Sequence, residues 1–178
     1  ELEREAPAIV PGELAPIALD WFNGHRTPVA NQHLTGAILG LSLGSTAPAV
    51  YRALAESTAF GARAIIERFV REGVPVEAVA AIGGISRKSP FVMQLCADVF
   101  NLPIKVAAAD QACALGAAMF AAVAAGIHPT AEAAMQAMGA GYDRVYTPDP
   151  GRSAIYEKRY RRYLAIGKFL EEEIMAHV

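Results

Sequence analysis

Val76-Glu77-Ala78-Val79-Ala80-Ala81-Ile82-Gly83-Gly84-Ile85-Ser86-Arg87-Lys88-Ser89-Pro90 is the stretch that decides the fold. Its first half, Val76 to Ile82, is a short apolar run of Val and Ala, which reads as a buried strand. Two consecutive glycines end it, and Gly tolerates the backbone angles that a sharp exit demands. Ser89 and Pro90 then form an N-cap and first-turn pair, so Pro90 to Phe100 reads as a helix with Phe91, Leu95 and Val99 on one face. A second strand is read over Leu102 to Val106. Asp110 reads as the cap of a helix from about Gln111 to Ala125 that stops at Gly126. Strands alternating with helices imply an α/β layer with parallel pairing.

Upstream, Thr46 and Pro48 open a long helix. Val50, Leu54, Ser57, Thr58, Gly61, Ile65 and Phe69 recur along it at three and four residues, and it ends near Gly73. Ile17 to Leu19 is a short strand candidate, and Gly36 to Leu43 fits either a strand or a loop. Residues 1–16 read as an extended lead-in, and residues 17–178 as the folded lobe. Downstream, Thr130 opens a helix to Met138, Gly139 to Gly151 reads as a loop, and a last amphipathic helix runs from about Ser153 to His177. Its expected buried stripe is Tyr156, Tyr160, Tyr163, Ile166 or Gly167, Leu170 and Ile174. Two strands make a poor sheet for 178 residues, so further strands are expected from the N-terminal region or from chain outside this sequence.

Composition narrows the function class. Hydrophobic residues make up 53% and charged residues 19%, which favours a packed core over disorder. Sixteen basic and 18 acidic residues give a net charge of -2. No basic surplus points to nucleic acid, and no Lys/Arg block or long uncharged apolar run points to a membrane. No signal peptide is visible, and a cytoplasmic protein is expected. Cys96 and Cys113 lie in apolar helical patterns and read as core thiols. The chain starts Glu1-Leu2-Glu3-Arg4 without methionine, which suits either processing or a fragment of a longer protein.

Three stretches carry candidate chemistry. Gly83-Gly84 lets a backbone approach a ligand closely, and the helix that follows offers free N–H groups to an anion. Arg87 and Lys88 add charge for phosphate or donors near a base and ribose. The plainer reading is a tight turn with a solvated basic pair. It is neither a P-loop nor G-x-G-x-x-G. Ala109-Asp110-Gln111-Ala112-Cys113-Ala114-Leu115-Gly116-Ala117-Ala118 is the second. There Leu115, Gly116 and Ala117 read as tight packing against the sheet. Asp20-Trp21-Phe22-Asn23-Gly24-His25-Arg26-Thr27-Pro28 is the third, a loop stiffened by Asx turns in which a catalytic carboxylate is conceivable. His25, His33, His128 and His177 show no metal-ligand spacing.

In this order the three stretches resemble the FGGY carbohydrate kinases, and their ribulokinase branch above all. Asp20 to Pro28 looks like the ribulokinase form of a loop that other members write Gly-Glu-Arg-x-Pro. Gly40-Leu41-Ser42-Leu43 with Leu54 to Phe60 looks like the C-terminal signature, Gly83 to Lys88 like the adenine-nucleotide loop, and Asp110 to Ala118 like the helix start after it. The resemblance implies the C-terminal lobe of the actin-like, ribonuclease-H-like sugar kinase fold, truncated and lacking its first strands. It implies transfer of the γ-phosphoryl group of Mg-ATP to the 5-hydroxyl of ribulose by an aspartate base that lies upstream of this chain. Asp20 does not match that base. Gly83, Gly84, Arg87 and Lys88 are the expected nucleotide-binding residues. Lys88 stands where relatives often place an asparagine that touches adenine. Mg2+ is expected to be held mainly by ATP and by the part not present, and the chain alone is expected to be inactive. ATP or ADP, a pentulose and a second copy of the chain are the expected partners. The other class kept open is a non-catalytic regulatory or assembly module of the same lobe type.

Overall fold

The computed structural model describes residues 1–9, 11–12 and 15–175. Thr46 caps the long helix as its sequence predicts: its hydroxyl oxygen accepts from the Ala49 amide at 3.4 Å. The helix, with the four-residue helix Leu2–Glu5 (α1) before it, is α2, Ala47–Arg71. It ends before Gly73, whose φ of +84° suits only glycine well. Under α2 lies an antiparallel pair, β1 (Ile17–Leu19) and β2 (Ala37–Leu39), with Ile17 opposite Leu39. All three residues of β1 are buried.

A second sheet has the order β3–β4–β5, formed by Val79–Ala81, Ile104–Ala107 and Tyr142–Tyr146. β3 and β4 are parallel, with Val79 opposite Ile104, and β4 and β5 are antiparallel. Between β3 and β4 come a five-residue helix α3 (Gly84–Lys88) and α4 (Pro90–Phe100). The Ser89 hydroxyl caps α4 by accepting from Val92 N at 3.0 Å, and left-handed Asn101 (φ +52°) ends it. After β4 come α5 (Ala112–Ala124) and α6 (Ala131–Met138), and after β5 comes α7 (Pro150–Met175). The expected end of that helix at His177 lies outside the described residues.

The core is aromatic. Phe60 of α2 meets Tyr156, Tyr160 and Tyr163 of α7 at ring-centroid distances of 6.4, 5.7 and 5.4 Å. Leu95 and Val99 of α4 close the cluster with Ile17, Leu19 and Trp21. The predicted α7 stripe is therefore present: its tyrosines and Gly167 are buried, while Ile166, Leu170 and Ile174 are half-buried.

Beside the aromatics sits a buried ionic triad. Glu56, 1% exposed, accepts from Arg52 Nε at 3.0 Å and from Arg159 Nη2 at 2.6 Å. Arg52 also donates to the Ala6 carbonyl at 2.8 Å and to the Tyr156 hydroxyl. Arg159 donates to the carbonyls of Gly12 at 2.9 Å and Pro16 at 2.8 Å. Desolvated charges persist when paired and hydrogen-bonded, and every guanidinium nitrogen of these two arginines has a partner.

Several expectations are corrected. The lead-in opens as α1 and a 3-10 turn over Ala6–Ala8, not as extended chain, because α2 packs against it and the triad holds its carbonyls. The buried face of α2 is Arg52, Ala53, Glu56, Ser57, Ala59 and Phe60; of the residues expected to recur along it Ser57 is buried, Val50, Leu54, Gly61 and Ile65 are half-buried, and Thr58 and Phe69 are exposed. The charge pair takes the position that an apolar reading skips. Val76 to Ile82 shortens to β3, whose residues are half-buried or exposed. It is an edge strand, paired on one side only among the described residues. The Gly139 to Gly151 loop contains β5, four of whose five residues are exposed, so its pairing with β4 holds it rather than a buried apolar pattern. Asp110 does not cap α5, which starts without a side-chain cap at Gln111. α5 leans on α6 rather than on the sheet: Leu115 and Gly116 are half-buried, and Ala117 and Cys113 are exposed.

Candidate functional site

Parallel strands β3 and β4 send their C-terminal ends to the same side, the place where open α/β sheets form ligand crevices. β3 leads into Gly83, whose φ is +85°. A Cβ added at Gly83 or at Gly84 would meet no atom within 4 Å. The backbone there is bare and open. Ser86 is buried, and its hydroxyl donates to the Gly83 carbonyl at 2.8 Å, which fixes the turn against the start of α3.

Arg87 joins this turn to its neighbours. Its Nη1 donates to the Ala108 carbonyl at 2.8 Å and pairs with Asp110 Oδ1 at 2.7 Å, while Nη2 lies 3.5 Å from Asp143 Oδ2. The first two candidate stretches are thus brought together across the ends of β3 and β4. Asp143, near the start of β5, belongs to the same cluster; the sequence does not single it out, because its strand carries no buried apolar pattern. With 36% of the Arg87 side chain and 81% of that of Asp110 exposed, such pairs contribute at most about 1 kcal/mol each. They orient loops more than they stabilise the fold. Lys88 is exposed. The Glu3 carboxylate bonds the hydroxyl of Ser89, just beyond the turn, so α1 touches the same region.

The third stretch forms a different place. Trp21 and His25 stack with ring centroids 4.4 Å apart. The Tyr163 hydroxyl donates to Asp20 Oδ1 at 3.0 Å. Burial holds the His25 pKa below its ordinary value, against the pull of Asp20 and Glu171. Burial also pushes the Tyr163 phenol up, helped by the adjacent Asp20 charge. A cavity of about 410 Å³ opens here, lined by residues of the loop 20–27, by Thr58, Gly61, Ala62 and Ile65 of α2, and by Tyr163. The Gly83 to Lys88 segment does not line it. Among the described residues no three His, Cys, Asp or Glu side chains form a metal-binding group, and no helix is long and apolar enough to cross a membrane.

Comparison with known proteins supplies the context of these two sites. A family model described as the C-terminal domain of the FGGY family of carbohydrate kinases matches residues 2–125. The chain is 51% identical over 160 residues to a ribulokinase of Vibrio parahaemolyticus, covering 90% of this chain and 28% of that protein. It is 43% identical over 166 residues to a ribulokinase of Bacillus licheniformis, covering 91% of this chain and 30% of that one. The chain therefore spans under a third of the length of these curated relatives. Among solved structures, a ligand-bound xylulose kinase from Lactobacillus acidophilus superposes with a TM-score of 0.87 at 28% identity, over 99% of this chain and 36% of that one.

Proposed function

The chain belongs to the FGGY family of carbohydrate kinases, and on that premise we propose that it is the nucleotide-side lobe of an ATP-dependent kinase that phosphorylates the 5-hydroxyl of ribulose. The observation that carries this reading is the bare Gly83-Gly84 backbone at the C-terminal end of β3, next to the end of its parallel neighbour β4. The names of the relatives favour a catalytic role over a regulatory module. Phosphoryl transfer needs positioning and charge stabilisation more than covalent chemistry from the protein. Mg2+, carried by the ATP phosphates, would neutralise charge that develops on the transferring group.

This lobe's own residues would do the holding. Gly83 and Gly84 admit the nucleotide against the main chain, since nothing projects from them. Lys88, exposed beside the turn, adds a cation where relatives place an uncharged amide. Arg87, with two carboxylates and a carbonyl already around it, fixes the width of the crevice between the turn and the start of α5. The aspartate base and the remaining sugar contacts belong to sequence outside this chain.

The test is calorimetric titration of ADP into the chain and into Gly84→Val. Space around Gly84 is open, so the variant is expected to fold. Its branched side chain would stand where the nucleotide must approach, and binding is expected to fall at least tenfold, about 1.4 kcal/mol. Equal binding by the two chains would refute the role given to Gly84. The same preparation is expected to show no turnover of ribulose with Mg-ATP; measurable turnover would place the base within this chain.

A further inference from the structure

The Gly83-Gly84 turn has little packing of its own. The helix that follows it, α3, is one short turn of five residues, and of these only Ser86 is buried. The element it packs against is α4. Where the two glycines stand therefore depends on the joint between α3 and α4, and that joint is Ser89. The Ser89 amide closes α3 by donating to the Ile85 carbonyl at 3.0 Å. Its hydroxyl opens α4 by accepting from Val92 N at 3.0 Å. Ser89 is 6% exposed, so its hydroxyl proton needs an acceptor from the protein, and a buried donor left without one is costly.

Glu3 supplies that acceptor. Its Oε1 accepts from the Ser89 hydroxyl, and its Oε2 accepts from the Tyr51 hydroxyl. An ionised carboxylate suits this place because it offers two acceptor oxygens and no competing proton. The two hydroxyls belong to different parts of the fold: Ser89 to the α3–α4 joint, Tyr51 to the long helix α2. One side chain thus ties the joint to α2. The Tyr51 ring also lies 6.3 Å from that of Phe91, the second residue of α4. Arg52 sits over Phe91 at 5.5 Å and holds the Ala6 carbonyl. The N-terminal segment is therefore anchored beside the joint independently of Glu3.

We propose that Glu3 is a positioning residue for nucleotide binding: its carboxylate locks the Ser89 joint onto α2 and so holds the bare Gly83-Gly84 backbone where a nucleotide can lie along it. The inference rests on the nucleotide reading of that turn. Glu3 acts through Ser89 and not on the nucleotide.

The test is calorimetric titration of ADP into the intact chain, Glu3→Ala, Glu3→Gln and Glu3→Asp, with amide hydrogen exchange on the same proteins. Glu3→Ala is expected to weaken ADP binding about fivefold, the loss of one hydrogen bond of ordinary net strength. It is also expected to speed exchange at the Ser89 and Val92 amides while α2 stays protected. Glu3→Gln keeps the reach and an acceptor oxygen, and is expected to restore most of the affinity. Glu3→Asp keeps the charge but is one methylene too short to bridge both hydroxyls, and is expected to bind like Glu3→Ala. Affinity restored by Glu3→Asp but not by Glu3→Gln would mean that Glu3 acts through its charge, and overturns the proposal. So does ADP affinity unchanged in Glu3→Ala, or unchanged exchange at both amides. An intact chain that takes up no ADP sinks the nucleotide reading instead, and the two amides then still decide whether Glu3 holds the joint.

Discussion

Glu56 answers two guanidinium groups with one carboxylate, out of reach of water. Glu56→Ala would leave Arg52 and Arg159 buried without their counter-charge. The expected cost is about 3–5 kcal/mol, read as a lower urea midpoint with an unchanged slope. A loss below 1 kcal/mol would show that the carbonyls of Ala6, Gly12 and Pro16 suffice to hold both arginines. Nothing local announces this triad. Arg52 and Glu56 are four apart on α2 and look like a solvated surface pair, and Arg159 is more than a hundred residues away. By contrast Thr46, Ser89, Thr130 and the Tyr156, Tyr160, Tyr163 spacing were legible, because caps and helical stripes depend on neighbours in sequence. The turn residues Gly83 and Gly84 were legible for the same reason. The carboxylates around Arg87 were not, since Asp110 reads equally well as a cap and Asp143 lies in a strand without an apolar pattern.

At the scale of elements, α4 and α5 differ although both are rich in apolar residues. α4 is wedged against α2, α7 and the sheet, and α5 rests on α6 with Phe120 69% exposed. The cysteines make the contrast measurable. Burial pushes the Cys96 thiol of α4 up to about 12, so hardly any thiolate exists near pH 8. Cys113 of α5 is exposed. A thiol-disulfide reagent such as DTNB is expected to modify Cys113 quickly in the native chain and Cys96 only after denaturant is added. Rapid reaction at both would mean that α4 opens far more readily than its packing implies. Composition alone gave the two helices the same burial, since an alanine-rich run fits a crowded position and an open one alike.

At the scale of the whole molecule, the α/β alternation held and the three-stranded sheet emerged from it, with β5 added by pairing. Among the described residues, β3 keeps one edge unpaired, and Ile82 and Ile85 just beyond it are 52% and 61% exposed. An open strand edge with apolar neighbours invites pairing with another chain. Size-exclusion chromatography with light scattering is therefore expected to give a mass above 18.8 kDa. A clean monomer would mean that the edge stays solvated. The ionic triad also has a meaning in time as well as in space. A lineage that replaces one of positions 52, 56 and 159 alone strands a buried charge, whereas exchanging all three for apolar groups costs little. Three sites scattered along the gene should therefore be inherited as one character, and descendants should keep all of them or abandon them together.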